Sequence, residues 1–284
     1  MLDSALGTTK TVRLPGGEIS YAERGSGPPV VFVHGLLVNA NLWRKVVPAI
    51  ADAGFRCIAP DWPLGAHQVP MPPDADLSPP GVARLIADFL DALDLDDVTI
   101  VANDTGGAIT QILMTSHPQR LGRVVLTPCD AFDEFLPQPF TSLPALTRRV
   151  PGAVWVSGLF LRLPFVQRLP FAFGWLAKRG IPAEIVESYL TPMRHSRLIR
   201  RDATRFISGV DSKYTLAAAE SLPAFGKPVL LVRAGDDKIF MPRLSDRLAA
   251  TLPDARLVTV DDSYTFVPED QPDELARLVV EFAA

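Results

Sequence analysis

The amino-acid sequence predicts an α/β fold: a mostly parallel, doubly wound sheet into which a helical cap is inserted. Three observations carry this expectation. Short apolar runs alternate with helical patterns along most of the chain. The runs are continuously apolar, as strands buried on both faces require. The alternation then stops between about 132 and 222, where proline and aromatic residues crowd together without a strand-like run.

Taken in order, the strand candidates fall at 29–35 (PVVFVHG), 55–60 (FRCIAP), 98–104 (VTIVAND), 123–128 (RVVLTP), 227–235 (KPVLLVRAG) and 255–261 (ARLVTVD). Helices are predicted at about 41–53, 80–93, 106–117, 242–252 and 272–283, several opened by Asn, Ser or Pro at a capping or first-turn position. Residues 132–222 include FLPQPF, SLPALTRRVPG and LRLPFVQRLPFAFGW, too apolar for a linker. They read as a helical cap over the carboxyl ends of the strands, where open α/β sheets bind ligands, or else as a helical subdomain with no part in a pocket. The predicted division is a first core part at 1–131, the cap at 132–222 and a second core part at 223–284.

Composition narrows the function. With 284 residues, 48% of them apolar, the chain has the material for one large sheet domain with an insertion. Its 28 Lys and Arg residues are scattered and its net charge is −4, so no nucleic-acid partner is expected. The opening MLDSALGTTKTVRLPGG lacks a basic-then-apolar signal, and no run reaches the ~20 apolar residues of a membrane span. A soluble, cytoplasmic protein that acts on a small molecule, with no membrane partner, is the expectation. Cys57 and Cys129 have no paired spacing and read as buried small hydrophobes. His34, His67, His117 and His195 never fall at i, i+4 or among carboxylates, so no metal or other cofactor is expected.

The most informative stretch is VTIVANDTGGAITQILMTSHP at 98–118: a strand, then Asn103-Asp104-Thr105-Gly106-Gly107, then a helix. A carboxylate at that turn sits at a helix N-terminus, whose partial positive charge favours the ionised form. Aspartate is also a frequent N-cap, so Asp104 reads either as a reactive group or as the cap of its helix. Accompanying stretches are PVVFVHGLL at 29–37, FRCIAPDWPLGAH at 55–67, KPVLLVRAGDDKIFMP at 227–242 and DDSYTFVPEDQPDELARLV at 261–279.

Together these stretches resemble the α/β-hydrolase fold superfamily over nearly the whole chain outside the cap, in particular its aspartate-nucleophile branch of haloalkane dehalogenases and epoxide hydrolases. The resemblance implies a nucleophile elbow with Asp104 where most members carry Ser, and an oxyanion hole made by the N–H groups of Leu36 and Thr105. It puts the second acid at Asp237, with Asp130 as the alternative, and Thr265 where relatives carry the catalytic His. His34, Trp43 and Phe266 are expected to meet the substrate, although bracing of the oxyanion loop accounts as well for His34 and core packing for Trp43. The dehalogenases' Trp after the nucleophile is here Thr105, and the Asn or Pro after their His-Gly is Leu36, so the substrate class stays open.

In that branch the carboxylate attacks carbon unaided, and His then activates water to hydrolyse the ester, a step for which a positioned base is worth ~10²–10⁴-fold. The expected function is a hydrolase-like enzyme that uses Asp104 on a small apolar electrophile (epoxide, alkyl halide or ester), with an atypical second step. Two alternatives stand beside it: a lyase, isomerase or cyclase with Asp104 and Asp237 as an acid–base pair, or a non-catalytic binding protein on a hydrolase scaffold. His67 and His195 are the candidates for a substitute base.

Overall fold

The computed structural model describes residues 2–150, 152–170 and 172–284. Among them, eight strands form one sheet: β1 (Thr8–Leu14), β2 (Gly17–Arg24), β3 (Pro29–Val33), β4 (Arg56–Pro60), β5 (Val98–Asp104), β6 (Leu121–Cys129), β7 (Val229–Ala234) and β8 (Ala255–Val260). Their order is β1-β2-β4-β3-β5-β6-β7-β8, antiparallel from β1 to β4 and parallel from β4 to β8. Val30 to Val33 of β3 are wholly inaccessible, as the continuous apolar run requires of a strand covered on both faces.

The helices are α1 (Val47–Asp52), α2 (Pro79–Ala92), α3 (Thr105–Ser116), α4 (Leu143–Arg149), α5 (Ala153–Phe160), α6 (Pro164–Gln167), α7 (Ala183–His195), α8 (Arg197–Gly209), α9 (Ser212–Ser221), α10 (Pro242–Thr251), α11 (Val267–Asp270) and α12 (Pro272–Ala283). Ser78 opens α2 by accepting from the Gly81 N–H at 3.2 Å. The helix expected over 41–53 is instead a 3₁₀ turn, Ala40–Trp43, followed by α1, because Pro48 has no N–H to continue a helix begun earlier.

The strands read from sequence correspond to β3 through β8. The β1–β2 hairpin was not anticipated: β1 is almost entirely exposed, so its TTKTVRL sequence carries no buried run. Helices α4 to α9 fill the stretch between β6 and β7; α4, α5, α7 and α8 pack on one another, whereas α9 packs on α3. Buried polar ties fasten this insertion to the sheet domain. Asp202 of α8 accepts from the Met71 N–H at 2.9 Å, and Asp270 accepts from the N–H groups of Lys178, Arg179 and Tyr264, each at 2.9 Å. Below, Arg44 and Glu269 form a buried bidentate pair.

Candidate active site

At the junction of β5 and α3 the backbone of Asp104 takes φ 56° and ψ −133°. That conformation costs a non-glycine residue on the order of 1–3 kcal/mol, which the surrounding packing must offset. The packing is close enough to do so. A Cβ on Gly106 would stand 2.5 Å from the carbonyl oxygens of Val33 and His34, and one on Gly35 would collide with the Asp104 carboxylate. Asp104 makes no side-chain cap to its own helix. Its carboxylate lies instead against the backbone N–H groups of Leu36 and Thr105, which favour its ionised form. Burial pushes Asp104 up to about 7 against the pull of those two N–H groups, and the Asp237 carboxylate adds to the rise.

The loop that supplies Leu36 is set by His34. Its Nε2 accepts from the Trp62 N–H at 2.9 Å, so Nδ1 carries the proton and donates to the Gly35 carbonyl, also at 2.9 Å. Burial lowers His34 to about 4, which keeps the ring neutral with both nitrogens engaged. His34 is therefore placed as a brace of the loop and not against a ligand. Leu37 completes the loop, its N–H donating to Leu64 O at 3.0 Å.

Across the site, the Thr265 hydroxyl donates to Asp237 Oδ1 at 2.9 Å. The same oxygen accepts from the Ile239 and Phe240 N–H groups at 2.8 and 3.1 Å, while Oδ2 is buried without a hydrogen-bond partner. Burial raises Asp237 to about 6. Asn103, absent from the sequence-derived site, ties the two halves together: its side-chain amide donates to Thr265 O at 2.9 Å and to Thr127 Oγ1 at 2.8 Å. Its place immediately before Asp104 was the one signal available. Asp130 lies elsewhere, accepting from Thr105 Oγ1 at 3.1 Å and from the Leu136 N–H at 2.7 Å. Burial and the nearby Asp104 hold its carboxyl well above the usual range. Asp237, and not Asp130, is thus the acid that meets Thr265.

A cavity of about 70 Å³ opens above Asp104, walled by Leu36 and Leu37 from the sheet side and by apolar residues of the insertion such as Phe140, Leu161, Phe173 and Leu176. Trp43 and Phe266 are not in its wall. Trp43 packs in the core with its ring centroid 5.1 Å from that of Phe32, and Phe266 is buried one layer back, its N–H donating to Leu176 O at 2.6 Å. None of the four histidines lines the cavity either. His67 is buried beside Asp202 and His195 is exposed at the end of α7. Arg201 is bound to Asp202, and Arg200 to the carbonyls of Met193 and Arg194. The Cys129 thiol, under the elbow, is driven far up by burial and by Asp130 and Asp104, so it is no nucleophile. Among the described residues no group of three His, Cys, Asp or Glu side chains could hold a metal ion.

A strand–elbow–helix junction at the carboxyl end of a parallel sheet, faced by a loop that donates a backbone N–H, defines the α/β-hydrolase class. Residues 30–278 match the alpha/beta hydrolase family, and the chain belongs to it. It is a dehalogenase-like member and an enzyme of the hydrolase family. Haloalkane dehalogenase 2 of Mycobacterium tuberculosis is 29% identical over 270 residues, covering 93% of this chain and 91% of that protein. The cis-3-alkyl-4-alkyloxetan-2-one decarboxylase of Shewanella oneidensis is 27% identical over 284 residues, covering 94% and 85%. The crystal structure of a mutant haloalkane dehalogenase DatA from Agrobacterium tumefaciens superposes with a TM-score of 0.78 at 25% identity, covering 99% of each chain.

Proposed function

We propose that this protein opens a carbon–halogen or strained carbon–oxygen bond of a small apolar electrophile with Asp104 as nucleophile, and that it hydrolyses the resulting ester slowly. The observation that carries the reading is the Asp104 carboxylate, held between the Leu36 and Thr105 N–H groups at the floor of an apolar cavity. The names of its relatives, haloalkane dehalogenases and an oxetanone decarboxylase, agree with an electrophile of that kind. The insertion, residues 132–222, serves as the cap that supplies most of the cavity wall and excludes water from the attack.

In the first step an Asp104 oxygen bonds to the substrate carbon, and the halide, or the ring oxygen, leaves with the electron pair of the broken bond. In the second, water attacks the ester carbonyl carbon. The oxyanion that forms is stabilised by the Leu36 and Thr105 N–H groups. The proton of that water goes to Asp237 Oδ2, the buried oxygen without a partner, while Thr265 holds Oδ1. The oxyanion then collapses and the C–O bond between the Asp104 carboxyl carbon and the substrate oxygen breaks. The alcohol leaves with the proton held by Asp237, which regenerates the Asp104 carboxylate. The group between Asp237 and the ester is the Thr265 hydroxyl, which cannot accept a proton near neutral pH, so the ester accumulates.

A second reading rests on the raised pairing itself: Asp104 near 7 and Asp237 near 6 are suited to proton transfer in a lyase or isomerase. One experiment separates the two. After incubation with a panel of primary alkyl halides and epoxides, nucleophilic chemistry adds one mass increment that peptide mapping places on Asp104. In H₂¹⁸O it also leaves label in that aspartate over repeated turnovers. An Asp104 that stays unmodified and unlabelled while substrate is consumed establishes the acid–base reading. One that stays unmodified with no substrate consumed leaves a binding protein.

A further inference from the structure

We propose that the outer face of the helical insertion docks onto an anionic lipid surface. Between Glu134 and Glu184 the sequence contains no acidic residue and carries Arg148, Arg149, Arg162, Arg168, Lys178 and Arg179, in a chain whose net charge is −4. The same segment holds the exposed apolar surface. Phe165 is 65% exposed, Phe160 59%, Trp155 45% and Leu163 42%, and among the described residues only Leu198, Leu216 and Met241 are comparably exposed large apolar side chains elsewhere.

The arrangement is two-sided. In α5 the outward positions are Trp155, Val156, Leu159 and Phe160, spaced as one helical face, while Ala153, Val154 and Gly158 turn inward. A Cβ on Gly158 would stand 2.8 Å from Met193 Cε, which shows how closely that inner face is seated. The apolar outer face is therefore not unfinished core. It is a second apolar surface, flanked along the chain by the exposed Arg149, Arg162 and Arg168, in a segment whose Leu161 and Leu176 wall the Asp104 cavity.

Charge decides which partner fits. Lys178 and Arg179 are bound to Asp236 and Asp262, and Arg162 lies within range of Glu187. Among the described residues no carboxylate pairs with Arg148, Arg149 or Arg168. A second copy meeting this face about a two-fold axis would set those arginines against themselves. An anionic membrane neutralises them while Trp and Phe side chains enter its interfacial zone, the combination that holds proteins on a bilayer without crossing it. No helix among the described residues is long and apolar enough to cross a membrane. The expectation of no membrane partner rested on the lack of a spanning run and of a basic-then-apolar opening, neither of which bears on docking at a surface. Docking is independent of the chemistry at Asp104.

The test is flotation of the full chain with vesicles of phosphatidylcholine alone or mixed with phosphatidylglycerol. The protein should float with the mixed vesicles only, and salt should release it. Brominated lipid should quench Trp155, whereas Trp43 and Trp62 lie in the core. Phe160→Ser with Phe165→Ser should weaken binding at least about tenfold, and Arg149→Ala with Arg168→Ala roughly fivefold for each arginine. Circular dichroism checks that these surface variants fold. Failure to float with either vesicle, equal flotation with both, or binding indifferent to both pairs of substitutions overturns the proposal. So does a dimer in sedimentation that Phe160→Ser dissociates, which would assign the face to a second copy.

Discussion

The elbow around Asp104 and the closing segment around Thr265 share a border at Asn103, yet they have been furnished to different degrees. At the elbow every device for attack is present: a strained backbone, two N–H donors, glycines where other residues would collide, and a neutral His34 that sets the loop. At the closing segment the acid is present but its partner is a hydroxyl, and one acid oxygen is buried without a hydrogen bond. The difference teaches that the two half-reactions of such a site are separable in structure. A carboxylate nucleophile brings its own charge, whereas water needs a base from outside.

Predictions follow from that contrast, the largest first. Asp104→Asn should abolish adduct formation, lowering its rate at least about 10⁴-fold as loss of a nucleophile does; quench-flow mass spectrometry measures it. The same substitution should stabilise the fold at about pH 8 by up to about 4 kcal/mol. The sign follows from the raised value: Asp104 moves from 3.8 to about 7 on folding, so its contribution is present below the unfolded value and lost as pH rises through 7. Urea titrations of both proteins should therefore coincide below about pH 4, move apart between about pH 4 and 7, and stay a constant distance apart above it.

Thr265→His tests the other side. It should accelerate decay of the ester about 10²-fold in single-turnover experiments, beginning from a base that Asp237 can orient. The ring needs more volume than threonine leaves, so a cost of about 1–3 kcal/mol in stability should accompany it. The smallest effect is in pH. Because the nucleophile must be ionised, the rate of adduct formation should fall roughly tenfold per unit below pH 7. A flat profile there would mean that Asp104 is ionised throughout and the acid–base reading loses its footing.

How much of this was legible in the sequence depends on whether a feature is local. The six strands β3 to β8 were readable because burial on both faces leaves unbroken apolar runs such as VTIVA. The exposed strand β1 left no such trace. Asp104, Leu36, Thr105, Asp237 and Thr265 were singled out through motif resemblance; Asp104 and Leu36 line the cavity, and the Thr265 hydroxyl meets Asp237. Asn103 was missed because its role is a contact with Thr265, 162 positions away, which no spacing announces. Trp43 and Phe266 were placed wrongly for the converse reason: a large aromatic near a motif fits either a pocket wall or the layer behind it, and only packing decides. The cavity walls contributed by Phe140, Leu161 and Phe173 come from the Pro-rich insertion, whose local pattern predicts helix without telling which face turns inward.

Phe173 has one more consequence. Its side chain lines the Asp104 cavity and also an open cleft bordered by Lys45, Arg168 and Lys178. The same residue thus borders both the reaction space and a solvent-filled cleft, so a smaller side chain at that position should shorten the way out for the released alcohol.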